Sequence, residues 1–490
     1  MSFSIVNKKE LRKIIEPHFY EGLISDEYKL ETINATQLLT YNRFDLSFKL
    51  LFLKMTRLGV KFSQDAYKEH IRALSLGSFK EPGNLKKSNF NDYLKAFEDI
   101  FADIKKDGFN KEKSVIPLSS NGYITNGSHR LACSIILNIQ VDCVHLDGPD
   151  HVYDYKFFYE RGVPKNMMDA AACEFIENSK NVFIAIIWPT AVGEDKKINH
   201  IIKNIVYEKQ VKLNSNGAHN LLSQIYYGEK WIGSVEDDFI GSYGKLIECF
   251  KTFDKIRFIA FQSSGIEEVI RIKEKIRGIF NIGKHSIHIS DNQKESLRIA
   301  RIAFNENSIH FLNYAKPNKF ISTHNKIKQF KKFILKNNIN SNDVLLDSSI
   351  TLSAYGLREA RDTDFLCSNN EKMQYAFDLI NPHDEVLKYY SENKFEIIYN
   401  HSYYFYFNDL KFISFPKLYQ MKVNRNEIKD QNDIKLMALI TDGAYVRKFS
   451  ARLIQYFFYG KIKARRKLMI FLKLIGLYKG LKYIFKSLLK

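Results

Sequence analysis

The sequence predicts a multidomain α/β protein with a basic C-terminal tail. The chain has 490 residues, more than one hydrophobic core usually serves. Its composition, 45% hydrophobic and 14% aromatic, is typical of folded domains. Short apolar stretches alternate with amphipathic ones, which indicates strands between helices. These observations predict a helical leader with an α+β domain, a middle α/β layer domain, a second α/β domain and an amphipathic tail helix, at residues 1–175, 176–325, 326–443 and 444–490.

The N-terminal region is expected to begin with helices and to end in a small sheet. Apolar residues recur at helical spacing in DLSFKLLFLKMTRLGV, DAYKEHIRALSLGSF and FNDYLKAFEDIFADIKK. The turn-rich stretch SVIPLSSNGYITNGSHRLACSIILNIQVDCVHL then predicts strand, strand, loop, helix and strand, with the second strand at residues 122–125.

In the middle region, strands are predicted to alternate with helices. NVFIAIIWP, KIRFIAFQSS and HSIHIS are predicted strands, each followed by an amphipathic helix, and SIHFLN is a further apolar segment of the same kind. This alternation is typical of β-α-β units. The histidines of the region are spaced too widely for a compact metal site, and those at 288 and 310 are expected in strands, at an edge or in the core.

The stretch LLDSSITLSAYGLREARDTDFL, residues 345–366, carries the strongest signal for chemistry. It predicts a short strand, a turn at Ser348 and Ser349, a helix, a glycine turn and a second strand. By the period of two, Asp362 and Asp364 point to the same face of that strand. Two adjacent carboxylates repel each other unless a cation lies between them, and oxygen ligands suit Mg²⁺ or Mn²⁺. The alternative is a charged surface turn in which Asp362 is a cap.

This order of elements resembles the nucleotidyltransferases of the DNA polymerase β superfamily, especially the minimal and abortive-infection-type members. The later stretch FPKLYQMKVNRNEIKDQNDIKLMALI resembles the helical segment that follows in those proteins. The resemblance implies a metal-dependent transfer from a nucleoside triphosphate. It implies a role for each of several residues: metal binding and catalysis by Asp362 and Asp364, charge neutralisation by Arg358, and nucleotide binding by Ser348, Ser349 and Lys422.

Two positions depart from that family's pattern. Ser348 stands where the family has a glycine, so its side chain crowds the approach of a phosphate to the backbone. The third carboxylate has two candidates. Glu396 lies in KFEIIY, a predicted strand, and is the preferred catalytic candidate, whereas Asp409 lies in YFYFNDLKFISF at a predicted hairpin turn.

A second motif, NGSHR, lies between the predicted strand at 122–125 and a predicted helix. Backbone N–H groups at a helix start and a guanidinium can together bind an anion. The segment resembles the ParB and sulfiredoxin-like domain, which implies nucleotide binding by Gly127, His129 and Arg130. Asn126 replaces that domain's aspartate, and Glu81 is a candidate remote base. The alternative is a helix capped by Asn126 or Ser128, with His129 exposed.

The chain carries a formal charge of +19, of which 13 Lys and Arg without any acid lie in residues 444–490, leaving about +6 for the rest. Apolar and aromatic residues there recur at helical spacing beside lysines, which predicts adsorption to an anionic membrane surface through residues 446–490. A helix packed on the domain and an RNA-binding helix are the alternatives. No helix-turn-helix pattern with a basic recognition helix is present, so DNA binding is not expected.

The five cysteines have no CxxC or CxxH spacing, and no window suits a signal peptide or a membrane span. The expected location is the cytoplasm, on the inner face of the membrane. The first hypothesis is a nucleotidyltransferase, fused to an ATP-binding or kinase-like domain, that acts on a small sugar or polyol for surface-polysaccharide assembly. The rivals are a toxin or defence-type nucleotidyltransferase that modifies RNA or protein, and a nucleotide-gated binding protein without turnover.

Overall fold

The computed structural model describes residues 3–81, 87–369, 379–441, 464, 467–468 and 470–477. The chain is a mixed α/β protein with several units, and its described strands form three separate sheets. None of the described helices combines the length and the apolar composition that a membrane-spanning segment requires.

The N-terminal unit combines helices with a four-stranded sheet. Its elements are β1 (Phe3–Asn7), α1 (Lys8–Leu11), α2 (Pro17–Glu21), β2 (Glu27–Asn34), α3 (Asp45–Met55), α4 (Lys61–Leu74), α5 (Phe90–Asp107), β3 (Ile116–Leu118), α6 (Ser128–Ile136), β4 (Gln140–His145), α7 (Tyr155–Glu160) and α8 (Lys165–Asn178). The strand order is β1-β2-β4-β3, with β3 parallel to β4 and the other pairs antiparallel.

The three predicted helices of this unit are confirmed as α3, α4 and α5. The strand predicted at 122–125 was wrong, because only Ile124 forms a single bridge to Leu118 there. The sequence reasoning missed β1 and β2. The strand β2 alternates charged with apolar residues and is only partly buried, so its hydrophobic signal is weak.

The middle unit has a four-stranded sheet with helices against it. Its elements are β5 (Val182–Ile187), α9 (Asp195–Ile201), β6 (Ile205–Lys212), α10 (Ser215–Ile225), α11 (Gly241–Cys249), β7 (Lys255–Gln262), α12 (Ile266–Phe280), β8 (Ile287–Ile289), α13 (Gln293–Ala303) and α14 (Glu306–Tyr314). The order β6-β7-β5-β8 is antiparallel throughout, and β7 lies between β5 and β6, which α9 connects. This is a split β-α-β arrangement.

The predicted alternation of strands and helices is confirmed in this unit, where every neighbouring pair of strands is antiparallel. The segment SIHFLN was misassigned, since it lies in helix α14. His310 is thus a helical residue. Its imidazole Nδ1 lies 2.9 Å from the hydroxyl of Tyr355, and burial lowers its pKa to about 4. His288, in β8 as predicted, lies 3.1 Å from Glu295.

The C-terminal unit contains the third sheet. Its elements are α15 (Ile321–Lys336), β9 (Val344–Asp347), α16 (Ser349–Ala354), β10 (Thr363–Cys367), β11 (Ile380–Pro382), α17 (Lys394–Tyr399), β12 (Tyr404–Phe407), β13 (Leu410–Ile413), α18 (Phe415–Arg425) and α19 (Ile428–Thr441). The order is β11-β10-β9-β13-β12, in which β10 is antiparallel to β9 and β13 is parallel to it. The hairpin β12–β13 turns at Asn408 and Asp409, both with positive φ, which confirms the turn predicted there.

One hydrophobic core extends from the N-terminal unit into the middle unit, with buried members from Ala35 to Leu312. The helix α8 crosses the position near residue 175 where a boundary was expected. A separate core lies around the third sheet, where Phe330 and Phe333 of α15 contact Phe365 of β10. The third sheet therefore supports residues 345–366 with its own core, to which α14 of the middle unit contributes Phe311.

Candidate functional site

The site is built on a strand, a strained turn and a helix. β9 is fully buried and ends at Asp347, and a single residue separates it from the start of α16 at Ser349. The residue between them, Ser348, has φ 56° and ψ −125°, a conformation that side-chain-bearing residues rarely adopt. The turn after α16 uses Gly356 at φ 73°, where an added Cβ would lie 2.6 Å from the carbonyl oxygen of Lys316. Strand, turn, helix, glycine turn and strand are thus confirmed in the predicted order.

The chain returns along β10, which pairs with β9 so that Asp364 is the partner of Asp347. Asp362 lies just before β10. Both Asp362 and Asp364 are half-buried, whereas Thr363 between them is buried, so the two acids lie on one face as the sequence predicted. The hydroxyl of Ser349 donates to Asp362 Oδ1 at 3.2 Å. The serine turn and the predicted acid pair are therefore adjacent.

Asp347 is a member of this site that sequence reasoning treated only as a turn residue. Its carboxylate is fully buried. Oδ1 accepts hydrogen bonds from the Ser348 backbone N–H at 2.6 Å and from the Tyr390 hydroxyl at 3.1 Å. Oδ2 has no hydrogen-bond partner. Such a buried, unsatisfied carboxylate oxygen costs free energy unless a ligand completes it. An acid at the end of an apolar strand was the signal available in the sequence.

His383, just after β11, lies beside the acids of the site. Its Nδ1 lies 3.4 Å from Ser348 Oγ and 3.7 Å from Asp347 Oδ2, and its Nε2 lies 3.7 Å from a carboxylate oxygen of Glu385. Burial opposes its protonation, but the ion pair with Asp347, together with the charges of Asp364 and Glu385, raises its pKa above the usual value. His383 was not predicted, because it lies far along the chain from the motif.

The pKa of Asp364 is raised to about 6, first by burial and then by the negative charges of Asp362, Asp347 and Glu385, while His383 partly offsets the effect. A bound cation would relieve this repulsion. Within the described residues, however, no group of three or more His, Cys, Asp or Glu side chains is already arranged to hold a metal. The residues that fit a divalent cation best are Asp364, Asp362 and the free oxygen of Asp347.

The basic half of the site comes from the loop before β10 and from α18 and α19. Arg358 forms a bidentate ion pair with Asp433, at 2.5 and 2.9 Å. Lys422 is buried and contacts Asp433 at 2.7 Å and Asp430 at 3.1 Å. Arg425 forms two further bonds to Asp430. Three cations and two carboxylates leave this network with one net positive charge.

Glu396 was expected on a strand beside the acid pair. The prediction of that strand was wrong, because KFEIIY forms the helix α17. The carboxylate of Glu396 accepts hydrogen bonds from the backbone N–H groups of Lys61 at 2.6 Å and Phe62 at 3.3 Å, at the start of α4, and from the side chain of Asn400 at 2.7 Å. Glu396 therefore caps a helix of the N-terminal unit. It joins two units of the chain.

At the second motif, Gly127 has φ 81° and directly precedes α6, without a side-chain cap. His129 is half-buried, and its Nε2 lies 2.9 Å from the Tyr67 hydroxyl; burial holds its pKa well below the usual value. His129 is therefore not exposed, contrary to the capped-helix alternative. The Arg130 guanidinium donates to the Val115 carbonyl at 3.3 Å.

Glu81, the candidate remote base, forms an ion pair with Lys87 at 2.8 Å. Because Arg130 and His129 both have protein partners, the three residues of the motif do not present three free donors to an anion. Arg130 contacts both the backbone beside β3 and the carboxylate of Glu16, at 3.8 Å.

Most of the predicted membrane-binding tail lies outside the described residues. Residues 470–474 are helical, and several apolar side chains there are exposed. These exposed side chains are Leu468, Ile470, Phe471, Leu474, Ile475 and Leu477.

Comparison of the chain with protein-family models, with curated proteins and with solved structures gives no match.

Proposed function

We propose that the C-terminal unit is a metal-dependent nucleotidyltransferase. The observation that carries the proposal is the pairing of β9 with β10, which sets Asp364 opposite Asp347, beside the serine turn. Asp347 has an unsatisfied buried oxygen, and Asp364 has a pKa raised to about 6. Both features favour a bound cation, Mg²⁺ or Mn²⁺, which would neutralise charge on a nucleoside triphosphate.

The other residues have distinct parts in this proposal. The hydroxyls of Ser348 and Ser349 lie at the turn where the triphosphate would bind. Arg358 and Lys422 supply positive charge beside the acids, but Asp433 holds both of them. Their role is therefore to maintain a positive potential at a fixed position, and Asp433 is a positioning residue for both.

The acceptor proposed is a small sugar or polyol, used for surface-polysaccharide assembly. The N-terminal unit would bind ATP, and residues 446–490 would hold the protein on an anionic membrane from the cytoplasmic side. The exposed apolar residues at 468–477 support that last step. A toxin or defence enzyme that modifies RNA or protein, and a nucleotide-gated binder, are the competing outcomes.

The experiment is a measurement of Mg²⁺-dependent pyrophosphate release from each nucleoside triphosphate by the full-length protein. The proposal expects release that Asp362→Ala with Asp364→Ala abolishes. Asp409→Ala changes the other candidate for the third carboxylate; because Asp409 lies at the exposed hairpin turn and pairs with Lys331, this variant should leave release unchanged. Nucleotide binding without any product would favour the gated binder, and toxicity on expression that depends on Asp362 would favour the toxin.

The tail is tested separately with lipid vesicles that contain anionic phospholipid. The full-length protein should sediment with these vesicles, less so at high salt, and a protein without residues 446–490 should stay in the supernatant. Equal sedimentation of the two proteins would contradict the membrane role.

One observation favours a second candidate, an acyl hydrolase. A serine at positive φ between a strand and a helix, with its hydroxyl near a histidine, is also the arrangement of a nucleophile turn in serine hydrolases. Ser348, His383 and Glu385 would be its members. The two candidates differ in Ser348→Gly: a nucleotidyltransferase keeps its activity, since its family has glycine there, and a hydrolase loses it.

A further inference from the structure

A cavity of 240 Å³ lies where the three units of the chain meet, apart from the acid pair. Side chains from α3, α8, α13 and β13 line it, together with the residues just before β9. Its charged lining residues are Lys54, Glu174, Glu177, Arg301, Asp343 and Lys411. A space of this size accommodates a compound of a few carbon atoms.

Lys411 differs from the other buried lysines among the described residues. Lys49 and Lys422 are each paired with an aspartate, at 2.9 and 2.7 Å. The Lys411 amine instead donates to the carbonyl of Ile398 at 2.7 Å, and no described carboxylate lies within 4.0 Å of it. An uncompensated ammonium in this position is costly, so burial favours the neutral amine.

The aromatic rings of Tyr399 and Tyr404 lie 4.8 and 4.9 Å from the Lys411 amine. Burial lowers the pKa of Lys411 to about 7, with smaller contributions from the charges of Arg301 and Lys54, against which Asp343 and Glu177 act. A large share of the amine is therefore unprotonated at neutral pH, and an unprotonated lysine is a nucleophile.

The charges around the cavity indicate which ligand fits. With Lys411 neutral, the lining has two cations, on Lys54 and Arg301, and three carboxylates, on Glu174, Glu177 and Asp343. His401 adds no charge, because burial lowers its pKa to about 4. The lining then has one net negative charge. It disfavours an anionic ligand and favours one that becomes positively charged when bound.

We propose that this cavity binds a small uncharged aldehyde or ketone, such as an open-chain sugar, as an imine of Lys411. The amine nitrogen attacks the carbonyl carbon, and a proton moves from nitrogen to the oxygen. A proton from solvent then lets that hydroxyl leave as water, which leaves a protonated C=N bond, with no oxidant or reductant required. The protonated imine carries the positive charge that balances the three carboxylates.

This inference goes beyond the nucleotidyltransferase proposal and does not depend on it. Asp343 precedes β9 and Asp347 ends it, so the two sites lie about 13 Å apart along one strand, at ~3.3 Å per residue. Occupation of the cavity and release of pyrophosphate are separate measurements, and either can fail alone.

The test is reductive trapping on the full-length protein. The protein is incubated at pH 7 with glycolaldehyde and cyanoborohydride, and labelled peptides are quantified by mass spectrometry. Lys411 should be labelled at least about tenfold faster than Lys429, an exposed lysine, because burial leaves far more of the Lys411 amine unprotonated than is usual for a lysine in water. Its labelling rate should reach half its maximum near pH 7.

Glyoxylate, which carries a carboxylate beside the same aldehyde, is the comparison probe. Glycolaldehyde should label Lys411 faster than glyoxylate, whereas exposed lysines should not show that preference. Lys411→Arg should remove this label and leave the labelling of Lys429 unchanged. Labelling of Lys411 no faster than that of Lys429 would overturn the imine, and a preference for glyoxylate would overturn the uncharged ligand.

Discussion

Asp347 and Asp364 are direct partners across β9 and β10, two acids held opposite each other in a largely buried sheet. Because Asp364 has a pKa of about 6 when folded and about 4 when unfolded, the folded chain binds more protons between these values. The contribution of Asp364 to the free energy of unfolding therefore falls by at most about 3 kcal/mol as pH rises from about 4 to 6, and it does not change further above pH 6. Asp364→Asn should remove this fall and raise the melting temperature at pH 7.

A divalent cation should act in the same direction on the native protein. Mg²⁺ or Mn²⁺ bound at Asp364 would relieve the repulsion, so it should raise the melting temperature at pH 7 in the unchanged protein and much less in Asp364→Asn. Ca²⁺-free buffer with EDTA is the reference condition. An equal response of both proteins to the metal would mean that the cation binds elsewhere.

Asp433 should be important for stability, because it is buried and pairs with two cations. Asp433→Ala removes the carboxylate that Arg358 and Lys422 share. The buried Lys422 then has Asp430 as its remaining ion-pair partner. We expect a loss of about 3 kcal/mol, as for other broken buried ion pairs. Chemical denaturation monitored by circular dichroism measures it.

The control for this network is Glu427→Ala. Glu427 is exposed, its pair with Lys429 is a surface contact, and its 3.9 Å contact with Arg425 is long, so its removal should cost at most about 1 kcal/mol. A loss in Asp433→Ala no larger than in this control would contradict the role given to the buried pairs.

The local order of the site was predictable because each step has a short-range signal. Four apolar or acidic residues form β9, a glycine at positive φ turns the chain after α16, and the period of two puts Asp362 and Asp364 on one face. The residues that contact Asp347 from elsewhere in the chain were not predictable in this way. Tyr390 and His383 reach Asp347 only because β11 lies beside β10, and strand order is a long-range property.

Glu396 shows a signal that was present but overlooked. KFEIIY is rich in β-branched and aromatic residues, which favour a strand. The residue before it, Asn393, accepts a hydrogen bond from the Glu396 backbone, and Asn-x-x-Glu is a helix-start pattern. The cap decided the structure of this segment. In the middle unit, short apolar runs likewise fit both a strand and a helix, which explains the error at SIHFLN.

Glu396→Ala should destabilise the junction between the units without changing the chemistry at the acid pair. It leaves the N–H groups of Lys61 and Phe62 without an acceptor, and the loss of a helix cap costs about 1–2 kcal/mol. Limited proteolysis and the melting temperature report this loss. Glu396→Gln keeps one acceptor oxygen and should lose less.

Pyrophosphate release per folded molecule separates this role from a catalytic one. It should be equal in Glu396→Gln and the unchanged protein. A loss of turnover with an unchanged melting temperature would instead restore Glu396 as the third carboxylate.

Ser348→Gly tests the strained turn. At φ 56° and ψ −125° the serine side chain is held in a conformation that glycine adopts freely, so the change should stabilise the protein by about 0.5–1 kcal/mol. Ser349→Gly is the matched control. It places a glycine at the first residue of α16 and should destabilise by a similar amount. Melting temperatures of the two variants should therefore move in opposite directions.

The same variant decides which chemistry Ser348 serves. Removal of its side chain opens the backbone to a phosphate, so Mg²⁺-dependent pyrophosphate release should be unchanged or faster in Ser348→Gly. Hydrolysis of p-nitrophenyl acetate, if the unchanged protein shows any, should then be equal in both proteins. Loss of ester hydrolysis in Ser348→Gly, together with no pyrophosphate release from either protein, would instead assign Ser348 and His383 to acyl transfer.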